Sequence, residues 1–251
     1  PIDLTRVIAD ELGVAVDEEA AHQRVREKQA GGAQGKLSAS TAAIEKTWFA
    51  LREELGPTRF LGYETQRGQG EVKAILSGEE RVEKVGPGAK ATLLLDATPF
   101  YGESGGQVGD SGELSWPGGR ARVLDTTKPL PELHAHHVEV LEGELAIGQA
   151  VEGAVDAARL EAIRRNHSAT HLLHLALREV LGDHVQQKGS LVAPDRLRFD
   201  YAHFEPLTPE QIQAIERRVN ELVLANAPTE AEVRSIDEAK AAGAMMLFGE
   251  K

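Results

Sequence analysis

The hydrophobic period changes twice along this 251-residue chain, and those changes limit what it can fold into. Residues 1–57 repeat apolar side chains at helical spacing. Residues 58–155 switch to short alternating runs broken by Gly and Pro. At Asp156 helical spacing returns. This succession predicts an α+β chain: a helical N-terminal segment over 1–57, a small β-barrel over 58–155, and an α/β two-layer domain over 156–251.

In the first segment, Asp3 can cap a helix over Leu4–Leu12 that stops at Gly13, and Asp17 can cap a second over Glu18–Ala30. A Gly31–Gly35 linker follows. Ser40 then caps Thr41–Leu55, whose Ile44, Trp48, Leu51 and Leu55 repeat on one face, and Gly56-Pro57 ends it. The second segment offers strands at Thr58–Tyr63, Glu71–Leu76, Ala91–Leu95, Ala121–Leu124, His136–Leu141 and Ala150–Ala154, separated by turns such as Gly86-Pro87-Gly88. Short strands at this spacing suggest a barrel. In the third, Asp156 caps a helix running to about Leu181. A hairpin follows over Val185–Val192 and Arg196–Ala202. Thr208-Pro209-Glu210-Gln211 starts another helix with a capping box. Glu230–Ile236 reads as a strand, with a short helix to Ala242 behind it.

The chain has no cysteine, so disulfides and thiolate nucleophiles are excluded, and a metal would need His, Asp or Glu. With Lys+Arg 28 against Asp+Glu 40, the formal charge is −12. That weighs against broad nucleic-acid binding, and no DNA partner is expected, though a local contact stays open. No apolar run approaches bilayer length, so a cytoplasmic protein without a membrane partner is expected. The start at Pro1 suggests an excised piece of a longer protein.

Chemistry concentrates in the long helix. His167 and His171 are four apart, on one face, and two neutral imidazoles so placed can grip one metal ion. The ordinary alternative is a pair of surface histidines. The pattern is not the metalloprotease HExxH, because Ser168 stands where the general-base Glu would be. His174 is read as packing or capping, with a third-ligand role as the alternative. Gly102-Glu103-Ser104-Gly105-Gly106 matches G-x-S-x-G, but turn-rich sequence follows where a nucleophile elbow needs a helix, so these glycines read as tight turns. Gln187 offers an amide donor and acceptor to a substrate, or is simply a polar turn. Arg164, Arg165 and Lys188 form a basic spot for a phosphate, or a solvated helix end.

Taken together, these segments resemble the alanyl-tRNA synthetase family. Thr98-Pro99-Phe100-Tyr101-Gly102-Glu103-Ser104-Gly105-Gly106-Gln107-Val108-Gly109-Asp110 is similar to its glycine-rich motif, with Gly102 where Ala is usual. Arg165 to His174 resembles its editing-domain zinc motif. Gln187-Lys188-Gly189-Ser190 and Gly243–Lys251 match as well, and Pro1–Thr5 resembles the tail of its helical tRNA-recognition region. The resemblance implies an internal piece of an ATP- and Mg-dependent alanine–tRNA ligase. That piece would carry the region that hydrolyses Ser or Gly esters on the acceptor end of tRNA(Ala).

The resemblance also implies site roles. His167 and His171 would be two of four zinc ligands, the others being a Cys and a His of a Cys-Gly-Gly-Thr-His segment beyond Lys251. Zinc is accordingly expected to be weak or absent in this piece. Thr170 would read the serine hydroxyl and Gln187 would serve the hydrolytic site. Gly105, Gly106 and Gln107 would line the pocket, with Lys188 binding substrate beside Gln187. The other readings are a non-catalytic tRNA-contacting module, because two ligands are missing, and a stand-alone metal hydrolase.

Overall fold

The computed structural model describes residues 46–78, 80–228, 232 and 234–243. The chain divides into two compact units, Pro1–Glu54 and Leu55–Lys251. The described residues 46–55 are helical and are labelled α1. Leu51 is buried and Trp48 half-buried, as their spacing predicts. Gly56 follows with φ +77°, the left-handed backbone that ends helices. The helices expected behind Asp3 and Asp17, the Gly31–Gly35 linker and the Ser40 cap lie outside the described residues.

The second unit is α+β and contains a closed six-stranded barrel. Its strands are β2 (Arg67–Ser77), β5 (Lys90–Leu95), β7 (Gly112–Trp116), β8 (Gly119–Leu130), β9 (Leu133–Glu142) and β11 (Ala150–Val155). They run in the order β11-β7-β8-β9-β5-β2, every neighbouring pair antiparallel, and pairing of Ala150–Ala154 with Arg67–Glu71 closes the ring. The other half of the same β2 edge, Ile75–Ser77, carries β3 (Glu80–Val82). Shorter pairs join β4 (Lys84–Val85) to β10 (Leu145–Ala146), and β1 (Arg59–Phe60) to β6 (Ala97–Thr98).

Alternation along these strands fills the barrel. Leu93 and Leu95, Leu114 and Trp116, Ala121 and Val123, and Val138 and Val140 are buried at two-residue spacing, and Val151 and Val155 at four, all in one cluster. Phe100, wholly buried, joins them. Side chains on Gly112 or Gly153 would approach its ring within 2.9 Å, so both positions need glycine.

Helix α2 (Ala157–Leu181) starts at the N-cap Asp156, whose carboxylate accepts from Arg159 N–H, and stops at Gly182. Its first turn sends Leu160 into the barrel core. Its C-terminal half builds a second core with the hairpin β12 (Gln187–Val192) and β13 (Leu197–Tyr201) and with helix α3 (Pro209–Ala225): Ala176, Leu177, Val185 and Ile215, flanked by Phe199, Tyr201 and Val219. At 1.5 Å rise, 25 residues span roughly 38 Å, long enough to serve both cores. Helix α3 carries the expected capping box of Thr208 and Gln211.

Three expectations are corrected. Thr58–Tyr63 contributes only the two-residue β1, because Leu61 to Glu64 fold into a turn closed by Glu64 N–H to Leu61 O. The glycine-bounded Gly112–Trp116 is a barrel strand, absent from the sequence reading. The described residues of Glu230–Ile236 form no strand: Ser235 is instead the cap of α4 (Ile236–Ala241). The Met245–Phe248 run lies outside the described residues. None of the described helices is long and apolar enough to cross a membrane.

Candidate functional site

The glycine-rich loop between β6 and β7 is held at many points. Tyr101 N–H donates to Asp110 Oδ2 (3.0 Å) and Asp110 N–H to Tyr101 O (2.8 Å), which ties the loop ends together. Glu103 N–H bonds Thr126 O, and the Thr126 hydroxyl donates to Asp110 O (2.9 Å), fixing the loop on β8. The Arg159 guanidinium reaches Gly109 O (2.7 Å) from α2. Burial raises the Asp110 pKa, opposed by the Tyr101 N–H bond.

At the loop tip, Ser104 and Gln107 exchange both backbone hydrogen bonds, around Gly105 at φ +59° and Gly106 at φ +83°. Two consecutive positive φ angles make the primed turn that glycine enters without steric cost. This is a turn, as read from the sequence, and no nucleophile elbow. Its flank docks on the hairpin: Val192 N–H donates to Gly106 O (2.8 Å) and Val108 N–H to Val192 O (3.1 Å). A Cβ on Gly106 would lie 2.5 Å from Ser190 Oγ.

Docking carries the Gln107 side chain to α2. His167 Nδ1 lies 2.8 Å from Gln107 Oε1, and His167 Nε2 lies 3.2 Å from His171 Nε2. The two rings are 5.1 Å apart. An amide oxygen only accepts, so His167 donates from Nδ1 and leaves Nε2 bare. Burial lowers the His167 pKa and neighbouring His171 lowers it further, which favours the neutral, ligating imidazole. A tetrahedral zinc with Zn–N of about 2.0–2.1 Å holds two nitrogen donors about 3.3 Å apart. The pair therefore fits two corners of such a shell. Among the described residues no group of three or more metal-capable side chains occurs.

The other sequence candidates fall around this line. Thr170 is buried on α2, and its hydroxyl donates to Asn166 O (2.8 Å). Gln187 is half-buried at the start of β12, while Lys188 is exposed with its ammonium near Gln186 Oε1. Neither is hydrogen-bonded to the histidines among the described residues. Gly105 and Gly106 form the turn that presents Gln107. His174 packs, 3% exposed, with its ring 5.1 Å from Phe199, so it faces the second core. Arg164 pairs with Glu161, and Arg165 is exposed.

Sequence reading missed the pins. Asn166 Nδ2 donates to Ala193 O (2.7 Å) and fastens α2 to the hairpin turn, and Asp110, Thr126 and Arg159 fasten the loop. Asn166, one residue before His167, and Asp110, closing the glycine run, were the available signals.

A family model for class II (A) tRNA synthetases matches residues 1–159. The chain belongs to that family. The match ends inside the first turn of α2, before the histidines. Over the whole chain, the sequence is 54% identical to an alanine–tRNA ligase of Anaeromyxobacter sp. (strain Fw109-5) and 46% identical to one of Sinorhizobium medicae (strain WSM419). The chain spans 28% of the length of each of these synthetases.

Proposed function

We propose that this member of the class II family is the editing region of an alanine–tRNA ligase, acting on seryl and glycyl esters of tRNA(Ala). The observation that carries the reading is the meeting of the glycine-rich turn with the two-histidine helix through Gln107 and His167. On this reading residues 1–57 end the tRNA-recognition region, 58–155 form the barrel module and 156–251 the two-layer editing module. The parent enzyme joins alanine to tRNA(Ala) with ATP and Mg in the cytoplasm.

The chemistry has a physical reason. A pocket shaped for alanine cannot exclude smaller glycine and rejects serine only weakly, so a second site must hydrolyse the wrong ester. Zinc held by His167, His171 and the Cys and His implied by the resemblance would supply a Lewis acid for the ester or its water. Thr170 gives its proton to Asn166 O, so toward substrate it can only accept. A serine hydroxyl can donate to it, and an alanine methyl cannot. Gln187 would orient the ester, and Gly105 and Gly106 would wall the pocket. Because the chain is strongly acidic, contact with the tRNA acceptor end must be local, through the exposed Arg165 and Lys188.

The second reading is a tRNA-contacting module without catalysis. The two-donor histidine pair, with no third metal-capable group beside it among the described residues, favours it. Deacylation of Ser-tRNA(Ala), measured for this chain and for one extended through the Cys-Gly-Gly-Thr-His segment, separates the two. Hydrolysis with zinc in the longer protein supports editing. A longer protein that binds zinc yet leaves the serine ester at its uncatalysed rate rejects it.

A further inference from the structure

We propose that Gln107, delivered by the barrel loop, is a positioning residue that holds His167 as its Nδ1–H tautomer and so aims the bare Nε2 at His171. The contact is 2.8 Å, from His167 Nδ1 to Gln107 Oε1, and it joins residues 60 apart in sequence. On the far side of the ring, Nε2 stands 3.2 Å from His171 Nε2. Without metal, His171 donates its Nε2–H across that gap. If zinc were bound, both Nε2 atoms would serve as its donors, and His171 would carry its proton at Nδ1. Only one of the two neutral tautomers of His167 permits either arrangement. Ring orientation matters as much, because an imidazole turned about χ2 would carry Nε2 out of line.

Gln107 can perform this task because its backbone is not free. Its N–H and C=O both bond Ser104, its two neighbours before it are the positive-φ glycines, and Gly106 O and Val108 N–H are tied to Val192. The exposed side chain of a loop would ordinarily lose considerable rotamer entropy on fixing one hydrogen bond. Here the chain on both sides is already fixed. The arrangement is that of an outer-shell partner, which orients a ligating histidine through its other nitrogen and whose loss typically weakens metal affinity about 10- to 100-fold.

This inference rests on reading the histidine pair as the reactive centre, and the test separates the two. Long-range nitrogen–proton NMR of the metal-free chain at about pH 8, where histidine is neutral, reports which ring nitrogen carries the proton. The expected result is Nδ1–H at His167 in the native chain and in Gln107→Glu, whose carboxylate still accepts. In Gln107→Leu, which cannot accept, His167 should change to Nε2–H or a mixture. Cobalt or zinc titration of the same proteins should show Gln107→Leu about 10-fold weaker than native and Gln107→Glu no weaker. A native His167 protonated at Nε2, meaning that the amide presents its NH₂ group instead, overturns the proposal. So does a tautomer unchanged in Gln107→Leu. If the tautomer behaves as expected while no variant binds metal, positioning by Gln107 stands and the metal reading falls. Because the Gln107 side chain is no part of either core, folded Gln107→Leu protein is expected, and rescue by Gln107→Glu distinguishes positioning from damage to the loop.

Discussion

Two runs of histidines, one in the barrel and one on α2, are used in opposite ways. In the barrel, His136 of β9 is fully buried, donates from Nδ1 to Leu93 O (3.1 Å) and accepts at Nε2 from the Thr98 hydroxyl (2.7 Å). Burial holds its pKa down at about 3. Neighbouring His134 is buried face to face with Phe60, and burial lowers its pKa to about 4. On α2, His167 and His171 are exposed and face each other. His136 has spent both ring nitrogens on the fold, while Nδ1 of the buried His134 has no hydrogen-bond partner among the described residues. The helix histidines lie at the surface and bond to Gln107 and to each other. Histidine count and spacing do not distinguish these cases; burial does.

The largest expected effect breaks that contrast directly. His136→Ala opens a cavity in the barrel wall and strips the Thr98 hydroxyl of its acceptor, so it should cost about 3–5 kcal/mol of stability. His171→Ala removes an exposed ring and should stay within about 0.5 kcal/mol. Urea unfolding of both variants measures the gap. Similar losses would mean that α2 depends on its histidines for folding, and would reduce them to structural residues.

Much of this architecture was legible in the sequence. Helix α2 was, because Asp156, an uninterrupted helical period and Gly182 agree on one answer, and α3 was, because Thr208, Pro209 and Gln211 spell a capping box. The glycine turn was legible too, since consecutive glycines before Gln107 suit few other structures. Strand β7 was not, because Gly112 at its start resembles the turn before it. Its reason for being glycine is the Phe100 ring, a tertiary contact. The same holds for the site. The histidine pair is a local spacing and could be read, whereas the Gln107–His167 bond depends on how the loop docks against β12.

A smaller effect, spread over pH, sharpens the contrast. His134 and His136 have folded pKa values below the unfolded value of about 6.5. The unfolded chain therefore binds more protons than the folded chain as pH falls below that value. Their stabilisation is complete above about pH 6.5 and is lost as pH falls toward about 4 for His134 and about 3 for His136. Each contributes a slope of about 1.4 kcal/mol per pH unit in its window. Melting followed from about pH 7 to 5 should show the slope, and His134→Gln should reduce it. A native profile that is flat over this range would contradict the buried, neutral state of the barrel histidines.

A small change in stability is expected at Thr170, where a change in specificity should accompany it. Its hydroxyl bonds a carbonyl, Asn166 O, whose helical position four residues back is also served by the backbone ladder. Thr170→Val keeps the branched shape in a buried position, loses that one bond, and should cost about 1 kcal/mol or less. On the proposed editing reading, the same variant in a full-length synthetase would remove the acceptor that Thr170 offers a serine hydroxyl. Serine-ester hydrolysis should fall relative to alanine-ester hydrolysis, because a site built to bond a hydroxyl loses its preference when the partner is gone. Parallel deacylation of the two esters reads the ratio, and urea unfolding reads the stability. A ratio unchanged in a fully folded variant would remove Thr170 from recognition and leave it with Asn166 as part of the frame of α2.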